Sequence, residues 1–296
     1  MVVAQQIHCF FEKQSLPHCK DITGGVMSHP LFLVDAFIAT PLKEGPFSGN
    51  PAGVCILDTE QPASWMQNVA LEMNQAETAF VHKRDDGSWN LRWFTPQVEV
   101  NLCGHATLAA AHALWQHGGE NAAILEFHTL SGLLSAKRVG DEIQLDFPAD
   151  FPQSVATVPP ALLQLLGGQP HWFGRGRDDL IAVLDSAENV RNFVPNAEQI
   201  ASFTTRGLIL TALGDVDSGL DMVSRFFAPK VGINEDPVTG SAHCLLACYW
   251  GNRLDKTHLR AQQASPRGGL LTLDWQDDRV LLSGKARTML TGEFYG

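Results

Sequence analysis

A chain of 296 residues is longer than one simple core organises, so two domains are expected. Hydrophobic residues make up 45% and charged residues 18%, the balance of a globular protein that buries most of its length. The formal net charge of −11 excludes a nucleic-acid backbone or an acidic membrane surface as partner, because both select basic faces; a small anion held in a locally positive pocket stays open.

Residues 1–26 show no clear period. His8, Cys9, His18 and Cys19 fall there without metal-ligand spacing. The first strong strand pattern is Leu31 to Ile38, so residues 1–29 read as an extension outside the fold, with Met27 a candidate start. No basic start followed by a continuous apolar stretch marks a signal peptide, and no apolar run reaches the roughly 20 residues that span a bilayer. The cysteines (Cys9, Cys19, Cys55, Cys103, Cys244 and Cys248) form no C-x-x-C pair, and they read as reduced thiols of a cytoplasmic protein.

Lys43 to Gly53 is rich in Gly and Pro and reads as a loop, and Val54 to Leu57 returns to strand. Ala63 to Met73 fits a helix, with Trp65, Val69 and Met73 on one face and Ser64 as its N-cap. Thr78–His82 and Trp89–Phe94 form strands around the Asp85-Asp86-Gly87 turn. Ala106 to Trp115 carries no charge and must be buried on nearly all sides. Pro148 and Pro152 bracket an expected linker.

The second half repeats this plan. Arg92-Trp93-Phe94-Thr95-Pro96 leads to Gly104-His105-Ala106 and an uncharged helix; Arg225-Phe226-Phe227-Ala228-Pro229 leads to Gly240-Ser241-Ala242 and another, His243 to Trp250. The spacing implies duplication and two similar domains, each a curled sheet around one buried helix. Each helix opens after a glycine, where unpaired N–H groups and the positive helix end favour an anion, so two facing starts would clamp a carboxylate.

Glu77, between a helix and an apolar strand, is the candidate acid/base, with a pKa expected to rise if it is buried. A solvated turn glutamate is the competing reading. Asp236, held extended by Pro237, is a candidate for a substrate amino or hydroxyl group or a capping residue. His105 and Ser241 hold equivalent places in the two copies and could donate to an anion or relay a proton. His112 and His243, inside the uncharged helices, read as core groups.

The ordered pieces Val34-Asp35-Ala36-Phe37, Ser48-Gly49-Asn50-Pro51-Ala52-Gly53, Asn74 to Val81, Phe94-Thr95-Pro96, Cys103-Gly104-His105-Ala106-Thr107 and Asp236-Pro237-Val238-Thr239-Gly240-Ser241-Ala242 resemble the PhzF (phenazine-biosynthesis-like) family of the diaminopimelate epimerase-like fold. The resemblance runs from about Leu31 to the C-terminus. It implies an α+β protein of two similar domains, each a curled, mostly antiparallel sheet or barrel around a central buried helix. The domains would be 30–147 plus 288–296, and 148–287, with Met289 to Gly296 crossing back to the first.

The resemblance further implies a site between the domains, no metal or organic cofactor, and a homodimer. It places catalytic roles on Glu77, His105, Asp236 and Ser241, and substrate binding on Asn50, Gly104, Thr239 and Gly240. Related epimerases use one thiol from each domain. Cys103 stands at the first position, whereas Pro237 or a neighbour takes the second, which argues against a two-thiol racemase. The function expected is a cofactor-independent isomerase that moves a proton on a small carboxylate-bearing metabolite. Alternatives are a catalytically silent carboxylate-binding protein and, less favoured, a racemase dependent on Cys103. Lys43 to Pro46 and the linker side are candidate specificity segments.

Overall fold

The computed structural model describes residues 28–40 and 46–296. The His/Cys group at 8–19, Met27 and most of the Lys43–Pro46 segment lie outside them. Uncharged, alanine-rich sequence makes the two central helices. In α2 (Gly104–Gln116) ten of thirteen residues are buried, and in α6 (Gly240–Leu254) eleven of fifteen are, which leaves neither helix a polar face. Such helices persist only inside a shell of sheet.

The first shell runs β1 (Ser28–Ala36), β2 (Asn50–Leu57), β3 (Glu77–Lys83), β4 (Trp89–Phe94), β5 (Glu99–Val100), β6 (Ile124–Thr129), β7 (Gly132–Val139) and β8 (Glu142–Pro148). Helix α1 (Ala63–Met73) covers its outside between β2 and β3, packing Met66, Val69 and Ala70 with Trp65 and Met73 against Leu31, Cys55 and Phe80. The second shell runs β9 (Gln153–Ser154), β10 (Trp172–Arg175), β11 (Asp179–Val183), β12 (Gly207–Leu213), β13 (Met222–Ala228), β14 (Ile233–Asp236), β15 (His258–Gln263), β16 (Gly269–Gln276) and β17 (Arg279–Gly284). Its outer cover is α3 (Pro160–Leu166), α4 (Ala187–Asn192) and α5 (Ala197–Phe203), whose Leu162, Val190 and Ile200 meet Leu208, Leu210 and Phe227.

The duplication is written in the pairings. β2–β3 and β11–β12 are parallel, β3–β4 and β12–β13 antiparallel, and each central helix connects a parallel pair, β4–β6 or β13–β15. A bidentate ion pair recurs at the same place: Arg92 on Glu99, and Arg225 on Glu235, with Nε–Oε1 distances of 2.7 Å in both. The halves join where β8 pairs antiparallel with β17, Leu145 opposite Leu282. Strands are then exchanged: β9 follows β8 and pairs with β10, while the final strand, β18 (Ala286–Tyr295), follows β17 and pairs with β1. We propose the domain division 30–147 plus 288–296 against 148–287, which these exchanges support.

Three local expectations are corrected. Asn50 to Gly53 is strand, because each residue pairs with β1. Ser64 does not cap α1; the helix starts one residue earlier on Pro62, whose carbonyl takes the N–H of Trp65 and Met66. Ser28 and His29 belong to β1, where they pair with Tyr295 and Phe294, so the first strand starts before Leu31.

Leu108, fully buried in α2, is expected to lose about 2–5 kcal/mol of stability as Leu108→Ala, since a cavity inside a closed shell relaxes poorly. Leu71→Ala on the exposed side of α1 should stay within about 0.5 kcal/mol in the same urea titrations.

Candidate functional site

The starts of α2 and α6 meet. A Cβ built on Gly104 would lie 3.7 Å from the Cα of Gly240, and the converse distance is the same. Neither glycine has positive φ, so neither is needed for a turn; what they allow is the close approach of two helix ends to each other and to a ligand. The residues just before them, Cys103 and Thr239, are both extended, and no side chain caps either helix. The two first turns therefore present uncapped N–H groups at one place. A cavity of about 290 Å³ opens there, lined by both helix starts together with Glu77, Cys103, His105, Asp236, Thr239 and Ser241.

Glu77 is the first residue of β3, brought back under the start of α2 by the α1 crossover. Its side chain is 12% exposed, and Oε2 lies 3.2 Å from His105 Nε2. The other face of the imidazole, Nδ1, sits 3.2 Å from Asn50 Nδ2 and 3.5 Å from Cys103 Sγ. Asn50 Nδ2 donates to Asp236 Oδ1 at 2.8 Å and to the Val238 carbonyl at 3.0 Å. Two carbonyl-type acceptors on one side fix which end of the amide faces them. Thr239 Oγ1 donates to Asp236 Oδ2, and Gln263 holds the loop by accepting from Thr239 N–H and donating to the Asp236 carbonyl.

The structure thus brings Glu77, His105, Asn50, Asp236 and Thr239 into one buried chain across both domains, beside Gly104 and Gly240. Ser241 stands apart from it. Its side chain is exposed on the cavity wall, where Oγ accepts from Arg206 Nη2 at 3.1 Å.

The charges are arranged differently from expectation. Burial by itself would raise the Glu77 carboxyl, but His105 and Cys103 beside it outweigh burial and hold it below its ordinary value. The raised acid is Asp236, which burial pushes up to about 6 against the pull of His105, Thr239 and Asn50. His105 is opposed by burial yet held well above its ordinary value by Cys103 and Glu77. Burial raises the Cys103 thiol. The site therefore contains an ionised glutamate against an imidazolium, with an aspartic acid that holds its proton near pH 6.

Cys103, His105 and Glu77 have ligand atoms within 4.8 Å of one another, the compass of one ion. His105, however, turns Nε2 to Glu77 and Nδ1 to Cys103, opposite edges of one ring, so the hydrogen-bonded chain itself accounts for the cluster. His243 is fully buried, with Nδ1 2.7 Å from the Thr239 carbonyl, and burial lowers it to about 4; it supports the α6 start from within. His112 reaches Thr288 on β18. In the second half the counterpart of Cys103 is Thr239, four residues after the strand partner of Phe226 as Cys103 is three after that of Trp93 plus the common helix glycine. Cys244 lies further on, inside α6, with its thiol pushed to about 12 by burial.

Arg206 and Asp179 were not legible as site residues from their own surroundings. The repeat carries the signal: Thr78 faces Phe94 as Leu208 faces Phe227, so Arg206-Gly207 occupies the place of Ala76-Glu77.

Residues 34–292 match the family model for phenazine biosynthesis-like proteins. A protein of Halalkalibacterium halodurans named an uncharacterized isomerase is 46% identical over 269 residues, 90% of this chain and 99% of that one. The crystal structure of a PhzF-family phenazine biosynthesis protein from Enterococcus faecalis superposes with a TM-score of 0.85 at 42% identity, covering 91% of this chain and all of that one. A hydroxyproline epimerase from Agrobacterium vitis shares the fold at a TM-score of 0.60 and 11% identity, over 90% of this chain and 92% of its own.

The Asp236 shift carries a sign that unfolding experiments can read. From about pH 4 to about pH 6 the folded state keeps a proton that the unfolded chain has lost, so this contribution is full below about pH 4 and fades as pH rises through 6. The raised His105 likewise contributes less as pH rises through its folded value; the lowered Glu77 contributes less as pH falls. Urea titrations from pH 4 to pH 7 should show a shallower decline for Asp236→Asn than for wild type. An unchanged profile would mean that Asp236 ionises as freely as an exposed carboxyl.

Proposed function

The chain is an isomerase belonging to the phenazine biosynthesis-like (PhzC/PhzF) family, and we propose that it moves a proton on a small carboxylate-bearing metabolite with Glu77 as the acid/base. The observation that carries this reading is the buried Glu77–His105 pair on the wall of the cavity where two helix starts converge. The substrate carboxylate sits on the N–H groups of the two first turns. That places the carbon bearing the acidic proton within reach of Glu77.

Glu77 takes that proton as its ionised carboxylate and gives it back at another position of the conjugated system, with no net change in protons or electrons. Negative charge spreads onto the substrate carboxylate in between, and the helix ends stabilise it there. His105, as imidazolium, holds Glu77 ionised before transfer. Asp236, tied to the imidazole through Asn50, supplies a group that stays protonated at mildly acid pH and can meet a substrate amino or hydroxyl group. The work needs no group beyond these side chains. For the assembly we propose a homodimer in the cytoplasm; exposed Ile124, Leu133 and Leu290 on β6, β7 and β18 support a second copy packing on the first domain. Among the described residues no helix is long and apolar enough to cross a membrane.

Proton NMR in D₂O over a panel of small unsaturated and amino-bearing carboxylic acids tests the chemistry. Wild type should incorporate deuterium or move a double bond in at least one acid, and Glu77→Gln should slow this by about 10²- to 10⁴-fold while retaining binding. Near-full activity in that variant would overturn the assignment. Binding without exchange by wild type would instead indicate a silent carboxylate-binding protein.

Cys103 lies 3.5 Å from the His105 ring, which keeps a thiol-dependent racemase as the second reading. Cys103→Ala is expected to leave the exchange rate within about threefold, as for a buried filler beside the site. Loss of exchange in Cys103→Ala with retention in Glu77→Gln would transfer the base to the thiol.

A further inference from the structure

The second domain builds one wall of the cavity around Arg206, just before β12. Its Nε donates to Asp179 Oδ1 at 2.8 Å, and Nη2 donates to Asp179 Oδ2. The Asp179 carboxylate is 5% exposed. The guanidinium carbon lies 5.8 Å from the Phe226 ring centre. Gly207 follows directly; a Cβ there would come within 2.4 Å of the Phe226 ring and 2.9 Å of Asp179 Oδ1, so the fit depends on its absence. The guanidinium is thereby fixed by carboxylate and aromatic face, and it donates once more, from Nη2 to Ser241 Oγ at 3.1 Å.

A serine hydroxyl has one proton to give and two lone pairs to accept with. Arg206 has only donors, so Ser241 Oγ must accept from it. The hydroxyl proton has no acceptor among the described residues, and Ser241 lines the cavity beside the α6 start. Because the Arg206 charge is already matched by Asp179, the guanidinium is better suited to orienting a neighbour than to binding a free anion itself. We propose that Arg206 is a positioning residue: by occupying the acceptor side of Ser241 Oγ, it aims the Ser241 hydroxyl proton at the substrate carboxylate held on the helix starts. The idea rests on the carboxylate reading of the cleft.

Binding of benzoate and of crotonate, measured by calorimetry and by shift of the unfolding temperature, separates the two. Ser241→Ala should weaken the bound acid by about tenfold, the effect of one hydrogen bond to a charged group. Arg206→Met should weaken it similarly. The double variant should bind no more weakly than Ser241→Ala alone, since the arginine acts only through the serine. Arg206→Lys should recover part of the affinity.

Losses that add in the double variant would mean Arg206 meets the anion directly, and would overturn the proposal. So would Arg206→Met binding as tightly as wild type, or Arg206→Lys binding no better than Arg206→Met, which would leave the arginine a purely structural role. If Arg206→Met does not fold, Arg206→Met combined with Asp179→Asn removes the buried pair together and replaces it in the cycle. Wild type that binds neither acid would overturn the carboxylate reading and this inference with it; wild type that binds, with every variant alike, would overturn the inference alone.

Discussion

One buried amide holds the two halves of the site in register. Asn50, at the first position of β2, donates across the domain boundary to the Asp236 side chain and the Val238 carbonyl, and lies against His105 in its own half. A neutral amide suits this place. A charged group in so buried a position would need its own counter-ion, whereas the amide joins an imidazole, a carboxyl and a backbone carbonyl without adding charge. Arg267 secures the approach to it: it donates to the carbonyls of Gly49 and Ser48 and pairs with the buried Asp35. Gly49 makes the turn with φ of +81°, where a Cβ would come within 2.4 Å of the Ala36 carbonyl oxygen.

The duplicated architecture produces an asymmetric site. Equivalent connections place α2 and α6 nose to nose, and the same bidentate Arg–Glu pair braces each strand pair before the helix. The contents of equivalent positions then diverge. The first half presents Glu77 and His105 where the second presents Arg206-Gly207 and Ser241. Cys103 faces its counterpart Thr239. One half thus offers groups that exchange protons, and the other groups that donate hydrogen bonds. This division suits returning a proton to a different atom more than inverting one centre with two matched bases.

Burial decides the charge states that chemistry would use. The carboxyl that the sequence marks as a base is the one its neighbours keep ionised, and the one that burial raises is Asp236. An ionised glutamate beside an imidazolium is a resting ion pair, and a substrate must compete with His105 for the glutamate. Placing the substrate's own negative charge on the helix ends nearby offsets that attraction while the proton is in transit.

The sequence alone carried the duplication, the two uncharged helices, the glycines at their starts and the identities of Glu77, His105 and Asp236, because these are local patterns: absence of charge over a helical run, a repeated pentapeptide, and ordered motifs. It misplaced the Asn50–Gly53 strand, since a Gly/Pro-rich stretch looks like loop until a partner strand pairs with it. It missed Ser64's idle role, since Pro62 starts the helix first. Arg206, Asp179 and Gln263 had no local mark. Only tertiary structure put Asp236, 186 residues away, within 2.8 Å of Asn50, turned a surface-looking arginine onto Ser241, and reversed the expected direction of the Glu77 shift. Pattern along a chain reports which face is buried. Proton affinity and hydrogen-bond direction depend on which groups face each other in space, and that is settled by how the two shells meet.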